Sequence, residues 1–316
     1  MDVIAGLLDG PRARQAFLLR AVFDPPWSIH VADRAPLSIV AMLRGDAWMT
    51  PTGGAPVRLV AGDIAVVLGP DPYDFADAPD SMTQVVIHPG QRCTTPDGKD
   101  LVYAMSQGIR TWGTSADGRT SMLIGTYEHV SELGHRLLAA LPQSLVVPRS
   151  AIDSPLVELL DDEIGKDVPG QQVVLDRLLD LLLVAVLRAW LAEADADETR
   201  WYRASADPVV GPALRLLQNN LAHPWTVEHL AAEVGSSRAT LARRFSELVG
   251  EPPMAFLTEQ RLALAADLLL EPGITVGAVA DRVGYATPYA FSAAFKRVRG
   301  ASPREHRRRL AAVVDG

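Results

Sequence analysis

Over the first 128 residues the apolar positions come in short runs of strand length. The runs lie at 16–23, 27–31, 37–43, 47–50, 57–59, 64–68 and 83–88, and clusters of Gly, Pro and Asp separate them. Many short β-prone runs with close turns predict a small barrel or jelly roll. Beyond residue 128 the period becomes helical. Residues 129–141 and 154–164 read as amphipathic helices. Residues 171–191 are apolar nearly all round, which requires cover on more than one side. Asp176, Arg177, Asp180 and Arg188 interrupt that run and argue against a membrane span. Residues 192–200 are polar and acidic, which predicts a linker reaching about residue 206. A helix at 214–221 then leads to Pro224 and Trp225.

The stretch from Trp225 to Arg308 holds one pattern twice. Residues 226–235 read T-V-E-H-L-A-A-E-V-G and residues 275–284 read T-V-G-A-V-A-D-R-V-G. A short turn and a second, basic helical segment follow each copy, which is the layout of a helix-turn-helix. Thr226 and Thr275 suit the N-cap, where a hydroxyl accepts a bond from a free amide of the first turn. Trp225 and Ile274 precede the caps, and Leu230 and Val279 follow at the spacing of a hydrophobic staple. Ala231 and Ala280 are small where a second helix must cross. Gly235 and Gly284 end each first helix. Leu241, Phe245 and Leu248 in one copy, and Phe291, Phe295 and Val298 in the other, place one apolar stripe against the first helix. Thr287 and Pro288 add a cap followed by a proline at the first helical position, and the second turn is one residue longer.

The opposite faces are left for DNA. One presents Arg238, Ala239, Ala242 and Arg243, with Ser237 at its start. The other presents Pro288, Tyr289, Ser292, Ala293 and Lys296, with Thr287 at its start. Arginine can pair bidentately with guanine, and alanine can touch a thymine methyl. Arg244, Lys296, Arg297 and Arg299 lie toward the helix flanks and suit phosphates. A solvated basic face on an ordinary bundle is the bland alternative, and two matched units weigh against it.

From about residue 207 to 310 the chain resembles the DNA-binding domain of the AraC family of transcription regulators. The likeness covers both helix-turn-helix units and a helix between them at 254–270. It includes E-Q-R-L at 259–262, V-G-Y-A at 283–286, F-S-A-A-F-K at 291–296 and G-A-S-P-R-E-H-R at 300–307. His306 stands where the family usually has tyrosine.

Charge supports this division. The whole chain has net charge −8, which alone would argue against a nucleic-acid partner. Residues 1–199 carry 15 basic and 27 acidic side chains, net −12, whereas residues 200–316 carry 15 and 11, net +4. Basic charge is concentrated where phosphate contact would need it. A single cysteine, Cys93, excludes an internal disulfide and suits a reducing, cytoplasmic setting. No basic-then-apolar leader pattern opens the sequence.

In the N-terminal part, Arg44-Gly45-Asp46, Val57-Arg58-Leu59 and Ala61-Gly62-Asp63 alternate with apolar runs in an order similar to a cupin barrel. That resemblance implies an effector-sensing domain. Many cupins hold a metal through histidines, and a metal site needs several ligands converging on one point. Here Val40 and Tyr73 fall at two of the positions where the cupin pattern has histidine, and the seven histidines are scattered. No metal or other cofactor is expected, and a metal-dependent cupin enzyme is disfavoured. Trp27, Met42, Trp48, Tyr73 and Met82 are candidates to line a ligand pocket, or simply to fill the barrel core. Cys93 lies in a stretch that reads as a loop, beside Arg92, which would lower its pKa. An oxidation sensor and a bystander thiol are both open. The long apolar helix predicts packing on the barrel and on a second subunit, as the resemblance also implies, with burial inside one subunit as the alternative.

The expected fold is α+β. A cupin-like sensor barrel occupies 1–128, a helical dimerisation segment 129–196, a linker 197–207 and an all-α DNA-binding domain 208–312. The expected protein is a cytoplasmic homodimeric transcription regulator and not an enzyme. It would bind double-stranded DNA under control of a small-molecule effector, with RNA polymerase as a partner if it activates and no membrane partner. A constitutive DNA-binding dimer with a purely structural barrel is the competing reading.

Overall fold

The computed structural model describes residues 16–128, 138, 141–152, 154–193, 200–271 and 273–314. They fall into two compact units, one of residues 16–128 and 141–193 and one of residues 200–314.

The first unit is built on two sheets. Its strands are β1 (Phe17–Phe23), β2 (Ser28–Val31), β3 (Leu37–Arg44), β4 (Asp46–Pro51), β5 (Val57–Val60), β6 (Ile64–Leu68) and β7 (Tyr73–Ala76). They continue with β8 (Val85–His88), β9 (Arg92–Thr94), β10 (Ser106–Gly108), β11 (Thr111–Gly113), β12 (Thr120–Tyr127) and β13 (Ser144–Val147). One sheet has the order β10-β11-β1-β12-β3-β6-β13, the other β5-β4-β7-β2-β8-β9. β1 with β11 and β2 with β8 are parallel, and the remaining pairs are antiparallel. Each of the seven expected runs contains a strand. β7 sits where two prolines read as a turn. β9, β10 and β11 are three residues each, too short to show a period. Cys93 lies on β9 and not in the expected loop. β12 is buried along almost its whole length, so it shows no alternation.

Alternate residues of β1 and β12 serve two surfaces, as the period of two requires. Leu19, Ile124 and Thr126 face the interior between the sheets. Arg20, Gly125 and Tyr127 face two helices, α1 (Leu156–Ile164) and α2 (Gln171–Glu193). Arg20 Nε donates to Asp161 Oδ1 of α1 at 2.8 Å. Tyr127 Oη donates to Asp180 of α2 at 3.3 Å. Gly125 lets α2 come close, since a Cβ there would stand 2.5 Å from Leu179 Cδ1. Arg110, just before β11, donates to Gln172 of α2 at 2.5 Å. The helix expected at 129–141, with His129 and His135, lies outside the described residues except at Leu138 and Leu141.

The second unit is all helical. It comprises α3 (Arg200–Ala206), α4 (Val210–Asn219), α5 (Val227–Glu233), α6 (Arg238–Val249), α7 (Pro253–Leu268), α8 (Val276–Arg282), α9 (Pro288–Arg299) and α10 (Pro303–Val314). The expected linker at 197–207 is corrected by α3. Ala204 is fully buried in the core with Leu214, Leu230, Leu241 and Phe245. Most of the acidic run ahead of α3, residues 194–199, lies outside the described residues. Asp207 fastens the start of α4, accepting from the N–H groups of Val209 and Val210 at 2.9 Å each. It also pairs with Arg244 of α6.

Two hydrophobic cores divide this unit, and α7 belongs to both. Phe256 and Leu257 enter the first core, while Leu262, Ala265 and Ala266 enter the second. A junction locks the halves together. Arg261 of α7 donates to the carbonyls of Leu221 at 2.6 Å and His223 at 2.7 Å. Arg261 also lies 5.9 Å from the centre of the Tyr285 ring. Between the two clamped carbonyls, the backbone of Ala222 packs against Gly284. Arg307 of α10 repeats the clamp in the second half, on the carbonyls of Leu269 at 2.8 Å and Ile274 at 2.7 Å.

Gly235 and Gly284 hold matching places at the ends of α5 and α8, with φ of 64° and 78°. A left-handed non-glycine residue costs about 1–2 kcal/mol. A Cβ on Gly235 would meet nothing within 4 Å, but one on Gly284 would stand 2.5 Å from the Ala222 carbonyl oxygen. Gly235→Ala should therefore lower stability by about 1–2 kcal/mol, and Gly284→Ala by about 1–3 kcal/mol more through overpacking, read as the shift in urea midpoint.

Asp207→Ala should cost about 2 kcal/mol, the upper range for losing a helix-start acceptor. Burial raises the Asp207 pKa, but the Val210 and Val209 amides and Arg244 outweigh it and hold it below the ordinary carboxylate value. Its contribution is complete above the unfolded-state pKa and is lost as pH falls through the lower folded-state value. The wild type and the variant should thus converge in stability under strongly acidic conditions.

Candidate nucleic-acid interface and barrel cavity

The duplicated pattern folds twice in the same way. Thr226 Oγ1 accepts from His229 N–H and Thr275 Oγ1 from Ala278 N–H, both at 3.1 Å. Ser237 Oγ accepts from Thr240 N–H and Thr287 Oγ1 from Ala290 N–H, again at 3.1 Å. Both staples form, with Trp225 packed beside the Leu230 core and Ile274 beside the Val279 core. The second helices, α6 and α9, end at Gly250 and Gly300 in the left-handed conformation. Leu241 and Phe245, and Phe291 and Phe295, are fully buried. That burial decides which faces are left outside.

On α6 the outer face carries Arg238, Ala239 and Arg243, with Ala242 half-buried. Arg238 is paired with Glu228 of α5 at 2.9 Å, and Arg243 with Glu247 one turn along at 2.9 Å. Exposed pairs of this kind contribute about 0–1 kcal/mol, so either arginine can exchange its glutamate for DNA. Arg244 differs, because its partner Asp207 is almost fully buried. It ties the start of α4 to α6. On α9 the outer face carries Pro288, Ala293, Lys296 and Arg297, with Ser292 half-buried. Tyr289 is 86% exposed. Lys296 and Arg297 make no ion pair among the described residues, whereas Arg299 is half-buried. Ser237 and Thr287 spend their hydroxyls on capping. His306 stacks edge-on against Phe295 with 5.3 Å between ring centres, so it fills the ring position that the resemblance gives to tyrosine. The acidic partners on α5 and at Glu247 were not anticipated, though the spacing of four between Arg243 and Glu247 was readable.

The first unit holds a partly open cavity of about 160 Å³ between its sheets. Val40, Ile29, Val31, Phe75 and Ile124 make apolar walls, and Trp112 makes another. The polar side chains on the lining are Asp33, Gln91, Cys93, Thr126 and Tyr73. Asp33 accepts from the Ala35 N–H at 3.0 Å and from Gln91 Nε2 at 3.1 Å. Tyr73 hydrogen-bonds Ser38, and burial pushes its phenol pKa well up, so it stays neutral. The indole N–H of the buried Trp112 has no partner among the described residues. Leaving such a donor unmet costs about 1–3 kcal/mol.

Of the five expected lining residues only Tyr73 is on the cavity. Trp27 is buried but stacks on Phe23 at 4.9 Å, and Met42 packs in the core beyond the cavity wall. Trp48 is only partly buried, its buried neighbours Ala47 and Met49 taking the other positions of β4. Met82 is 85% exposed in a loop. Aromatic character singled these residues out, but strand parity decides which side chains face in. Val40 and Tyr73, at the positions where the cupin pattern has histidine, both line the cavity. An aliphatic side chain and a neutral phenol do not fit a divalent metal. Among the described residues no three His, Cys, Asp or Glu side chains converge for a metal ion. His30 is bonded to Asp74 at 2.8 Å and His88 to Thr94 at 2.9 Å. The expected lowering of the Cys93 pKa by Arg92 is also corrected. Burial, aided by Asp100, raises the thiol to about 11, which keeps it protonated near neutral pH. No helix among the described residues is long and apolar enough to cross a membrane.

The cupin family matches residues 2–192, and a helix-turn-helix domain family matches residues 230–309. A protein of Streptomyces lividans described as an AraC-like transcription regulator is 29% identical over 98% of this chain and 98% of its own. The HTH-type transcriptional regulator AlkR of Acinetobacter baylyi is 28% identical over 97% of this chain and 99% of its own. Among solved structures, the DNA-binding domain of AdpA in complex with a target DNA is 36% identical. It covers 34% of this chain and 96% of that one, with a TM-score of 0.32. Two equally capped helix-turn-helix units behind a cupin domain, matched end to end by such relatives, place this chain in the AraC family of DNA-binding transcription regulators.

Proposed function

We propose that the protein is a cytoplasmic homodimer that reads specific DNA sites with α6 and α9 and adjusts that binding to a small molecule sensed in the barrel. The observation that carries this reading is the shared core of α7 with the Arg261 junction. Together they hold two recognition helices as one rigid pair. Such a pair suits two successive major-groove segments about 34 Å apart on one face of the duplex. One domain would cover an asymmetric site and a dimer two of them. The DNA-binding domain begins at α3, because Ala204 belongs to its core. RNA polymerase joins the partners if the outcome is activation.

Dimerisation through α2 is supported by its outer surface. Val173, Val174 and Leu181 are exposed on a helix whose other side packs on the barrel. They recur at about two turns, which is one stripe. Light scattering at micromolar concentration should give twice the chain mass, and Leu181→Glu should shift the protein to monomer. A monomeric wild type would sink the dimer.

Fluorescence anisotropy with DNA from upstream of the protein's own gene, over a salt series and with competitor DNA, tests the central reading. Arg243→Ala should cost about 1–3 kcal/mol on the specific site and relax its sequence preference. Lys296→Ala should weaken all sequences alike and reduce the salt slope by about one. Unchanged affinity in both variants would refute the assignment of these faces.

A further inference from the structure

We propose that the barrel cavity takes one small, uncharged, largely apolar molecule, about the size of a single aromatic ring and carrying one hydroxyl group. This deepens the reading of the barrel as the sensing unit and rests on it.

Size comes first. The cavity is about 160 Å³, and an apolar cavity of roughly 150 Å³ holds a benzene ring. Nucleotides and long acyl chains are too large to be held wholly within this volume. The walls set the polarity. Both sheets contribute aliphatic and aromatic side chains, and no Lys, Arg or His lines the space. A carboxylate or phosphate ligand would be buried without a counter-charge and beside Asp33, which is heavily disfavoured. A cation is not called for either. Asp33 is already engaged by the Ala35 N–H and by Gln91, so its charge is partly met within the protein.

Hydroxyls offer the polar contact. Thr126 and Tyr73 carry them on the lining. Thr126 Oγ1 lies 3.4 Å from Ser38 Oγ, which in turn bonds Tyr73. This neutral hydroxyl cluster can accept the proton of a ligand alcohol or phenol. Cys93 stays a protonated, weakly polar wall.

The test is calorimetric titration of the full-length protein with three probes of matched size: benzyl alcohol, toluene and benzoate. Benzyl alcohol should bind tightest, toluene more weakly, and benzoate at least tenfold more weakly than the alcohol. Ile124→Phe and Ile87→Phe, one on each sheet, fill the cavity. Either variant, once shown folded by its cooperative melting, should lose benzyl alcohol affinity more than tenfold. Benzoate binding as tightly as the alcohol, no binding of any probe, or full alcohol affinity in a folded filled variant would each overturn the proposal. DNA binding is measured in parallel. Specific DNA binding with no probe binding defeats the ligand class alone, whereas probe binding without specific DNA binding defeats the regulator reading alone.

Discussion

The guanidinium of Arg261 holds the two halves of the C-terminal unit in register. It grips the carbonyls on either side of Ala222, and Ala222 is the residue that Gly284 admits against the second helix-turn-helix. Charge-assisted bonds of this kind contribute about 1.5–3 kcal/mol each. A lysine could not grip both carbonyls in the same way, because the two donors must lie in one rigid plane. The long helix that carries Arg261 is buried in one core at its start and in the other at its end. The spacing of the two recognition helices is therefore a property of packing and not of a flexible connection. Any DNA site they read must offer that spacing.

Within this frame the two units differ in charge. On α6 both outward arginines are paired with glutamates, and a third arginine is committed to the buried Asp207. On α9 the outward face carries an exposed tyrosine and two cations. In the proposed DNA contact, the first unit would exchange weak surface pairs for DNA, and the second would hold the phosphate backbone. The alanines at 239 and 293 keep both faces shallow, which lets the backbone approach but leaves few groups to hydrogen-bond bases.

The barrel uses its period of two in a comparable way. On β1 and β12 one set of side chains makes the cavity wall, and the alternate set holds α1 and α2. Arg110, in the turn before β11, is bonded to Gln172 of α2, and Trp112 on β11 lines the cavity. A molecule in the cavity and the inner face of α2 are thus separated by a single sheet. That arrangement gives an occupied cavity a short mechanical route to the surface proposed for dimerisation.

Much of this was readable in the chain. The repeated pattern determined the two helix-turn-helix units down to their caps, because capping, staple and glycine terminus are local chemistry spaced within a few residues. The apolar stripes at Leu241–Phe245 and Phe291–Phe295 determined which helix faces are left outside. The short runs with their turns determined a small β-domain. Tertiary structure decided the rest. It paired Arg244 with Asp207, since a partner 37 residues away in sequence has no local signature. It turned a polar linker into α3, since one buried alanine is enough to dock a short helix. It also decided the cavity. Being aromatic says that a residue wants burial, but only strand parity and cross-sheet pairing say whether it faces the cavity, as Tyr73 and Trp112 do, or packs elsewhere, as Trp27 does.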